Sequence, residues 1–225
     1  MAKHNSTEEQ LKATAEKLFF EKGYIEVSGR GICEAAGISR SRLHYYYTDK
    51  EHLAYAVMKQ SLEKLHQELS SVIHTSCDTE LKRNLEYMTV LIMCLISILS
   101  KNSAPSLFYS ECMDAGIANN VLGEYIETSM RIINEKTAHP YDNRHIRAFS
   151  RMFANAFSAN SKKYADDESV SGYMMFFCEV YSDLYMKMLD VDSAVRKEII
   201  EAAEQEFSKL DIQFRSIYEI DITRR

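Results

Sequence analysis

The sequence is poor in the residues that make turns and holds no tryptophan. It has 7 glycines and 2 prolines among 225 residues, where average usage gives about 16 and about 11. An all-β sandwich or barrel needs many tight turns, so this scarcity excludes that class. The most apolar stretch, Tyr87–Leu99, is shorter than the roughly 20 residues that span a bilayer, which predicts a buried core helix and no membrane partner.

Signatures of cofactor, metal and catalytic sites are also missing. The five cysteines form no C-x-x-C pair, and the seven histidines show no zinc-ligand spacing. The chain contains no G-x-S-x-G, phosphate loop or dinucleotide-binding glycine pattern. We therefore expect no metal, no cofactor and no catalytic residues. The odd cysteine count and the polar N-terminal segment predict reduced thiols in a cytoplasmic protein without a secretory signal.

The net charge of −6 does not indicate a nucleic-acid-binding protein, but the charge distribution is uneven. Acidic and basic residues balance over residues 1–56, so the excess of acid lies entirely in the remainder. Within the balanced part, the stretch Ser39–Lys50 holds Arg40, Arg42 and Lys50 against Asp49 alone. This segment forms a small positive patch on an acidic protein.

Apolar residues recur with helical spacing along the chain, which predicts an all-α fold. Four helices come first, with Gly23 ending the first of them as a C-terminal glycine. We predict a compact helical head over residues 1–48, a connector helix over about 49–70, and a larger helical body over 71–225. The predicted helices cover residues 6–22, 29–36, 40–46, 49–70, 79–100, 106–115, 120–138, 142–164, 171–189 and 193–217.

Two short predicted helices are joined by Ala36-Gly37-Ile38-Ser39, which is the arrangement of a helix-turn-helix. Glycine permits the sharp turn, and Ser39 stands where the cap of the second helix is expected. Arginine can bond guanine or neutralise phosphate, and hydroxyl groups commonly hold phosphates. Lys50 falls in the first turn of the fourth helix, where a bound phosphate would offset the unfavourable helix dipole. The candidate DNA-binding residues are Ser28, Arg30, Ser39, Arg40, Ser41, Arg42, His44, Tyr45 and Lys50.

Residues over roughly 7–57 follow the order and spacing of a known family pattern. The matching positions are Ala15, Leu18, Phe19, Gly23, Tyr24, Ile32, Ala35, Ala36, Gly37, Ile38, Ser39, Leu43, Tyr46, Tyr47, Lys50, Glu51 and Leu53. In these positions the chain resembles the tetracycline-repressor (TetR) family of bacterial transcription regulators. The resemblance implies a homodimeric DNA-binding repressor, in which 1–48 is the helix-turn-helix DNA-binding domain and 71–225 is a helical domain that binds a small-molecule effector and dimerises.

The resemblance further implies that the middle helices of the body surround a ligand cavity. We place it between the helices predicted at 79–100, 106–115 and 120–138, whose methionines and aromatic residues suit an apolar or aromatic ligand. The alternative is a filled core in which these side chains pack on one another. The candidate ligand-binding residues are Tyr87, Met88, Met93, Phe108, Tyr109, Cys112, Met113 and Tyr125.

The late helices at 142–164 and 171–189 carry more aromatic residues and methionines than a small body needs. The family dimerises through such helices, so they are expected to form the dimer interface or the core. The candidate interface residues are Phe149, Phe153, Phe157, Phe177, Tyr181 and Tyr185. The predicted function is a repressor that binds a pseudo-palindromic double-stranded DNA operator and releases it on binding its effector. The alternatives are a helical dimer that acts through protein contact without operator DNA, and an enzyme on a helical scaffold.

Overall fold

The fold consists of helices that end in a small β-hairpin. The computed structural model describes the backbone of residues 2–100, 104–165 and 171–225, and the side chains of 7–99, 105–159 and 176–225. The elements are α1 (Ala2–Lys22), α2 (Gly29–Ala36), α3 (Arg40–Tyr47), α4 (Lys50–Val72), α5 (Glu80–Ser100), α6 (Ala104–Asp114), α7 (Ile117–Asn134), α8 (Asn143–Ala165), α9 (Ser171–Met188), α10 (Ser193–Phe207), β1 (Leu210–Phe214) and β2 (Ile220–Arg224). The all-α prediction is confirmed, with the hairpin as its one departure.

The first three helices form a compact head because each presents a short apolar face. Leu11 and Phe19 of α1 pack with Ile32 of α2 and Leu43 of α3 in the core. Between α2 and α3, Gly37 adopts a left-handed conformation with φ of 64°, as the sharp turn requires. The predicted helix-turn-helix is therefore present, while α1 begins at Ala2, one turn before the predicted start at residue 6.

The caps of these short helices differ in their chemistry. The hydroxyl of Ser28 accepts a hydrogen bond from the backbone N–H of Gly31 at 3.0 Å and so caps α2. Ser39 holds the N-cap position of α3 but makes no capping bond, because its hydroxyl lies 2.9 Å from that of Ser41. Asp49 caps α4 by accepting from the N–H of His52 at 2.9 Å.

The body packs around α5, whose apolar stretch is buried along most of its length. Helices α6 to α10 surround it, and α7 and α8 pack side by side. This confirms the interpretation of Tyr87–Leu99 as a core helix. Among the described residues, no helix is long and apolar enough to cross a membrane.

The last predicted helix is wrong beyond Phe207, because the chain there forms an antiparallel hairpin. Ile212 pairs with Ile222, and Leu210 pairs with Arg224. Leu210, Ile212, Ile220 and Ile222 are buried on one face, with the period of two that defines a half-buried strand. The β-branched isoleucines favour this strand pair over a continued helix.

The turn of the hairpin docks between α1 and α4. The buried carboxylate of Glu16 accepts hydrogen bonds from the backbone N–H groups of Ile217 at 2.7 Å and Tyr218 at 3.3 Å. The hydroxyl of Ser61 donates to the carbonyl oxygen of Ile217 at 2.8 Å and lies within hydrogen-bond distance of the Tyr109 hydroxyl. The turn of the hairpin is thereby hydrogen-bonded to both α1 and α4.

Candidate DNA interface and ligand cleft

The surface of α3 is basic and exposed. Arg40, Ser41, Arg42 and His44 are exposed, and Tyr45 is 71% exposed. On the opposite face, Leu43 and Tyr47 are buried in the head. The helix therefore directs its hydrophobic side inward and its hydrogen-bonding side to solvent, as a groove-reading helix must.

Several of the predicted contact residues on this surface already bond to neighbours in the head. The guanidinium of Arg42 donates to the hydroxyl of Thr7 at 3.4 Å, a long bond at the margin of the useful range. The imidazole of His44 contacts the carbonyl oxygen of Thr48 at the end of α3. Tyr45 lies edge-on against Tyr46, with ring centroids 5.0 Å apart. These contacts orient the side chains without covering them.

Arg30 and Ser28 flank α3 on α2. Arg30 pairs with Glu34 one turn later at 2.7 Å, and this hydrogen bond raises the pKa of the guanidinium. Both partners are exposed, so the pair contributes little to stability and can exchange for a phosphate. Ser28 keeps its side chain on the N-terminus of α2, where its role is that of a cap.

Lys50 is half-buried, and its side chain lies against Tyr24 in the head. Its ammonium donates to the carbonyl oxygen of Tyr24 at 3.0 Å and lies 3.8 Å from the centroid of the Tyr24 ring. Burial lowers the pKa of this lysine. A phosphate contact by Lys50 thus requires the side chain to exchange the Tyr24 carbonyl for the phosphate.

A cleft of about 410 Å³ opens between α4, α5 and α7. Its floor is apolar and its rim is polar. The residues that line it are Lys59, Leu62, Glu63, His66, Asn84, Tyr87, Met88, Val121, Glu124, Tyr125, Thr128, Ser129, Ile132 and Ile133.

Two tyrosine hydroxyls meet at one imidazole in this cleft. The hydroxyl oxygens of Tyr87 and Tyr125 lie 2.6 Å and 2.8 Å from Nδ1 of His66. Burial lowers the pKa of His66 and raises that of Tyr125 to about 12. Near neutral pH the imidazole is therefore the uncharged acceptor and the phenols keep their protons.

The structure brings only part of the predicted ligand set to this cleft. Tyr87, Met88 and Tyr125 line it. The other five candidates are buried in the core and lie outside its walls; they are Met93, Phe108, Tyr109, Cys112 and Met113. Four of these five lie on α6, which packs on the head, where the ring of Phe108 stacks on that of Phe19 with centroids 5.3 Å apart.

Sequence reasoning missed the wall that α4 supplies. Lys59, Leu62, Glu63 and His66 follow the i, i+3, i+4, i+7 spacing of one helical face. The spacing is present in the sequence, but the prediction of a connector helix over about 49–70 assigns these residues no ligand contact.

The predicted dimer residues are mostly internal to one chain. Phe153, Phe157, Tyr181 and Tyr185 are buried and form an aromatic cluster between α8 and α9. Phe149 and Phe177 are half-buried on the same two helices. The apolar side chains that face solvent here are instead Met152 of α8 and Phe176 and Val180 of α9.

Histidines, cysteines and carboxylates do not converge as a metal site anywhere in the described parts of the chain. None of the five cysteines, all of which lie in described parts of the chain, forms a disulfide, and four of them are buried. The exposed face of α3 and the cleft are the candidate sites in the part of the chain that the structure describes.

Gly23 marks the contact between the head and α6. It ends α1 with φ of 75°, and a Cβ built there would lie 2.5 Å from Oε2 of Glu111. The same oxygen accepts a hydrogen bond from the N–H of Ile25 at 2.8 Å. The turn after α1 therefore lies directly against α6, and a side chain at Gly23 would force Glu111 and Leu107 to shift.

We expect Gly23→Ala to lower the free energy of unfolding by about 1–2 kcal/mol through the left-handed backbone alone, and further through the clash with Glu111. Gly37→Ala is the matched control, because Gly37 has a similar φ and no atom near its Cβ position. Urea unfolding of the two variants measures the difference. Equal losses would show that the approach of Glu111 is not tight.

The head is the part of this chain that matches a known protein family. Residues 11–57 match the family model described as bacterial regulatory proteins, tetR family. This segment runs from α1 into α4 and contains the whole helix-turn-helix. A search of curated protein sequences finds no significant match.

Solved structures match over most of the chain. RolR in complex with resorcinol is 17% identical, with a TM-score of 0.61 over 88% of this chain and 95% of that chain. FadR of Thermus thermophilus in complex with lauroyl-CoA is 18% identical, with a TM-score of 0.53 over 81% and 91%. TylP, a tetR regulator from Streptomyces fradiae, is 15% identical, with a TM-score of 0.51 over 91% and 97%. At these identities the likeness is one of fold.

Proposed function

Because residues 11–57 match the tetR family of bacterial regulatory proteins, we propose that this chain is a member of that family and a cytoplasmic repressor, which binds operator DNA as a homodimer and releases it on binding a small molecule. The observation that carries the proposal is the exposed basic face of α3, the helix that follows the well-formed turn at Gly37. The division into a DNA-binding head, the connector α4 and a ligand-binding body belongs to the same proposal.

The head supplies groups for both kinds of DNA contact. Arg40, Arg42, His44 and Tyr45 project from α3 and suit base edges in a major groove. Arg30 and Ser28 lie on α2, where a helix-turn-helix crosses the phosphate backbone. The acidic remainder of the chain repels DNA, so binding is confined to this face.

The cleft is the effector site that the geometry supports best. The related folds of RolR and FadR hold resorcinol and lauroyl-CoA, respectively. Here one wall of the cleft is α4, and the first turn of that helix carries Lys50 against the head. A ligand that prefers one placement of α4 lowers operator affinity by its difference in affinity for the two placements.

Dimerisation is assigned to the exposed apolar side chains of α8 and α9. Exposed apolar groups that cluster on adjacent helices are typical of a protein contact. An operator made of two half-sites about 34–36 Å apart requires two heads, which a dimer supplies.

We expect Arg42→Ala to weaken binding to a selected operator by about 1–3 kcal/mol, because an arginine on a base edge contributes that much discrimination. The operator is obtained by selection from a random duplex pool, and affinity is measured at fixed salt. Lys197→Ala removes one exposed positive charge from α10 and serves as the control, with unchanged affinity expected. If no selected duplex binds better than bulk DNA, the chain acts without an operator and the proposal is wrong.

A further inference from the structure

The cleft has one polar end. His66 lies on α4, Tyr87 on α5 and Tyr125 on α7, so all three walls send a hydrogen-bonding group to the same point. These groups come from distant parts of the sequence and meet within hydrogen-bond distance of one nitrogen. Such convergence inside a largely apolar cleft is typical of a group that orients a ligand.

The hydrogen bonding at this point has spare capacity. Nδ1 of an uncharged imidazole has one lone pair, and two hydroxyl donors lie within 2.8 Å of it. One full hydrogen bond satisfies that lone pair, and the only other acceptor within hydrogen-bond distance of these hydroxyls among the described residues is the carbonyl oxygen of His66, 3.3 Å from the Tyr87 oxygen. That bond is long, so a tyrosine hydroxyl can turn to a new partner at little cost. Each phenolic oxygen can also accept. A ligand hydroxyl fits this arrangement because it both donates and accepts.

The part of the cleft that adjoins a smaller void is apolar, and we call it the apolar end. Leu62, Met88 and Tyr125 line the cleft and also line a smaller void behind it. That void holds about 20 Å³ and is walled by further apolar side chains, among them Leu91, Leu122 and Phe153. The size of the cleft and the apolar lining of this void suit the ring of a ligand with a short alkyl extension.

The charges around the cleft disfavour an anion. Glu63 and Glu124 line it against one ammonium, that of Lys59, which pairs with Glu124 at 3.1 Å. About half of the Lys59 and Glu124 side chains is exposed, so a cationic ligand would meet the carboxylates only in solvent, where ion pairs contribute little. The apolar end of the cleft is lined by uncharged side chains alone.

We propose that the effector of this cleft is an uncharged ring compound with a hydroxyl group, which joins Tyr87, Tyr125 and His66 while the ring enters the apolar end. This inference rests on the proposed function only in that the bound compound acts as the effector. The binding of the compound is argued from the lining of the cleft alone.

The experiment compares four matched probes by calorimetry on the full-length protein: 4-ethylphenol, ethylbenzene, 4-ethylbenzoate and 4-ethylbenzylamine. We expect 4-ethylphenol to bind about tenfold more tightly than ethylbenzene, the equivalent of one well-made hydrogen bond. The benzoate and the protonated amine should bind more weakly than the phenol. A charged probe that binds most tightly, equal affinities for all four, or no binding up to millimolar concentration would overturn the inference.

Variants then locate the binding. Tyr87→Phe with Tyr125→Phe should remove the preference for the phenol and leave the affinity for ethylbenzene unchanged. Tyr141→Phe, at a half-buried tyrosine outside the lining of the cleft, is the matched control and should keep the preference. Melting temperatures verify that the variants fold. An unchanged preference in the double variant would place the phenol elsewhere and overturn the inference.

Operator binding separates the two proposals. A protein that binds a selected operator and releases it with a different class of compound keeps the proposed function and contradicts this inference. A protein without operator preference that still binds 4-ethylphenol through the two tyrosines contradicts the proposed function and supports the binding part of this inference.

Discussion

Met152→Glu combined with Val180→Glu is expected to produce monomers and to reduce operator affinity by about 100-fold or more. Both side chains are exposed in one chain, at 59% and 40%, so a carboxylate is tolerated there until a second chain covers it. Covering an unpaired charge costs several kcal/mol, which the interface cannot supply. A monomer loses the second half-site, and linked half-sites contribute factors of about 10²–10⁴.

Sedimentation equilibrium measures the assembly, and two control variants test its interpretation. Ile25→Glu places the same charge on an exposed apolar residue of the head and should leave the dimer intact. Phe157→Glu should unfold the body instead, because Phe157 is enclosed by its own chain. Wild-type protein that sediments at 26.0 kDa at micromolar concentration contradicts the proposed dimer.

Removal of residues 210–225 is expected to unfold the protein at room temperature. The hairpin buries Leu210, Ile212, Ile217, Ile220 and Ile222, and each apolar side chain of this size contributes about 1.5–3 kcal/mol when fully buried. The total exceeds much of the 5–15 kcal/mol by which a domain is stable. Circular dichroism and urea unfolding measure the loss, and a cooperative transition at the wild-type midpoint would contradict it.

A single substitution probes how the hairpin is anchored. Arg224 on β2 bonds the buried carboxylate of Glu206, which also accepts from the N–H of His74 at 2.7 Å. Although burial opposes ionisation, these bonds hold the pKa of Glu206 at about 2. The stabilisation is complete above the ordinary glutamate pKa of about 4.3 and is lost as the pH falls toward 2. Arg224→Ala should flatten this acid dependence of the urea midpoint between pH 5 and 3, and an unchanged slope would contradict it.

The head could be predicted from sequence because its signals are local. Ser28, Gly37 and the apolar face of α3 specify caps and a turn within a few residues of one another. The hairpin could not, since Phe207, Leu210 and Phe214 also fit the spacing of a helix. Strand pairing decides between the two, and it depends on residues about ten positions further along the chain.

The cleft was harder to predict for a different reason. Periodicity shows which face of a helix is buried, but not which neighbour covers it. Phe108 and Cys112 have the composition of a pocket wall, yet α6 turns them against the head and the core. His66 has the composition of an exposed surface, yet α5 and α7 bring two tyrosines to it.

The bond between Glu16 and the backbone of Ile217 spans 201 positions of sequence. Contacts of such separation form late in folding, because the chain must lose the entropy of closing a long loop before these contacts stabilise it. The carboxylate of Glu16 therefore finds this partner only after the helices between α1 and the hairpin have been synthesised. During synthesis the side of α4 that receives β2 stays uncovered, and nascent chains in this interval are the ones that chaperones and proteases meet. Synthesis of the hairpin closes this interval, because β2 then packs on α4.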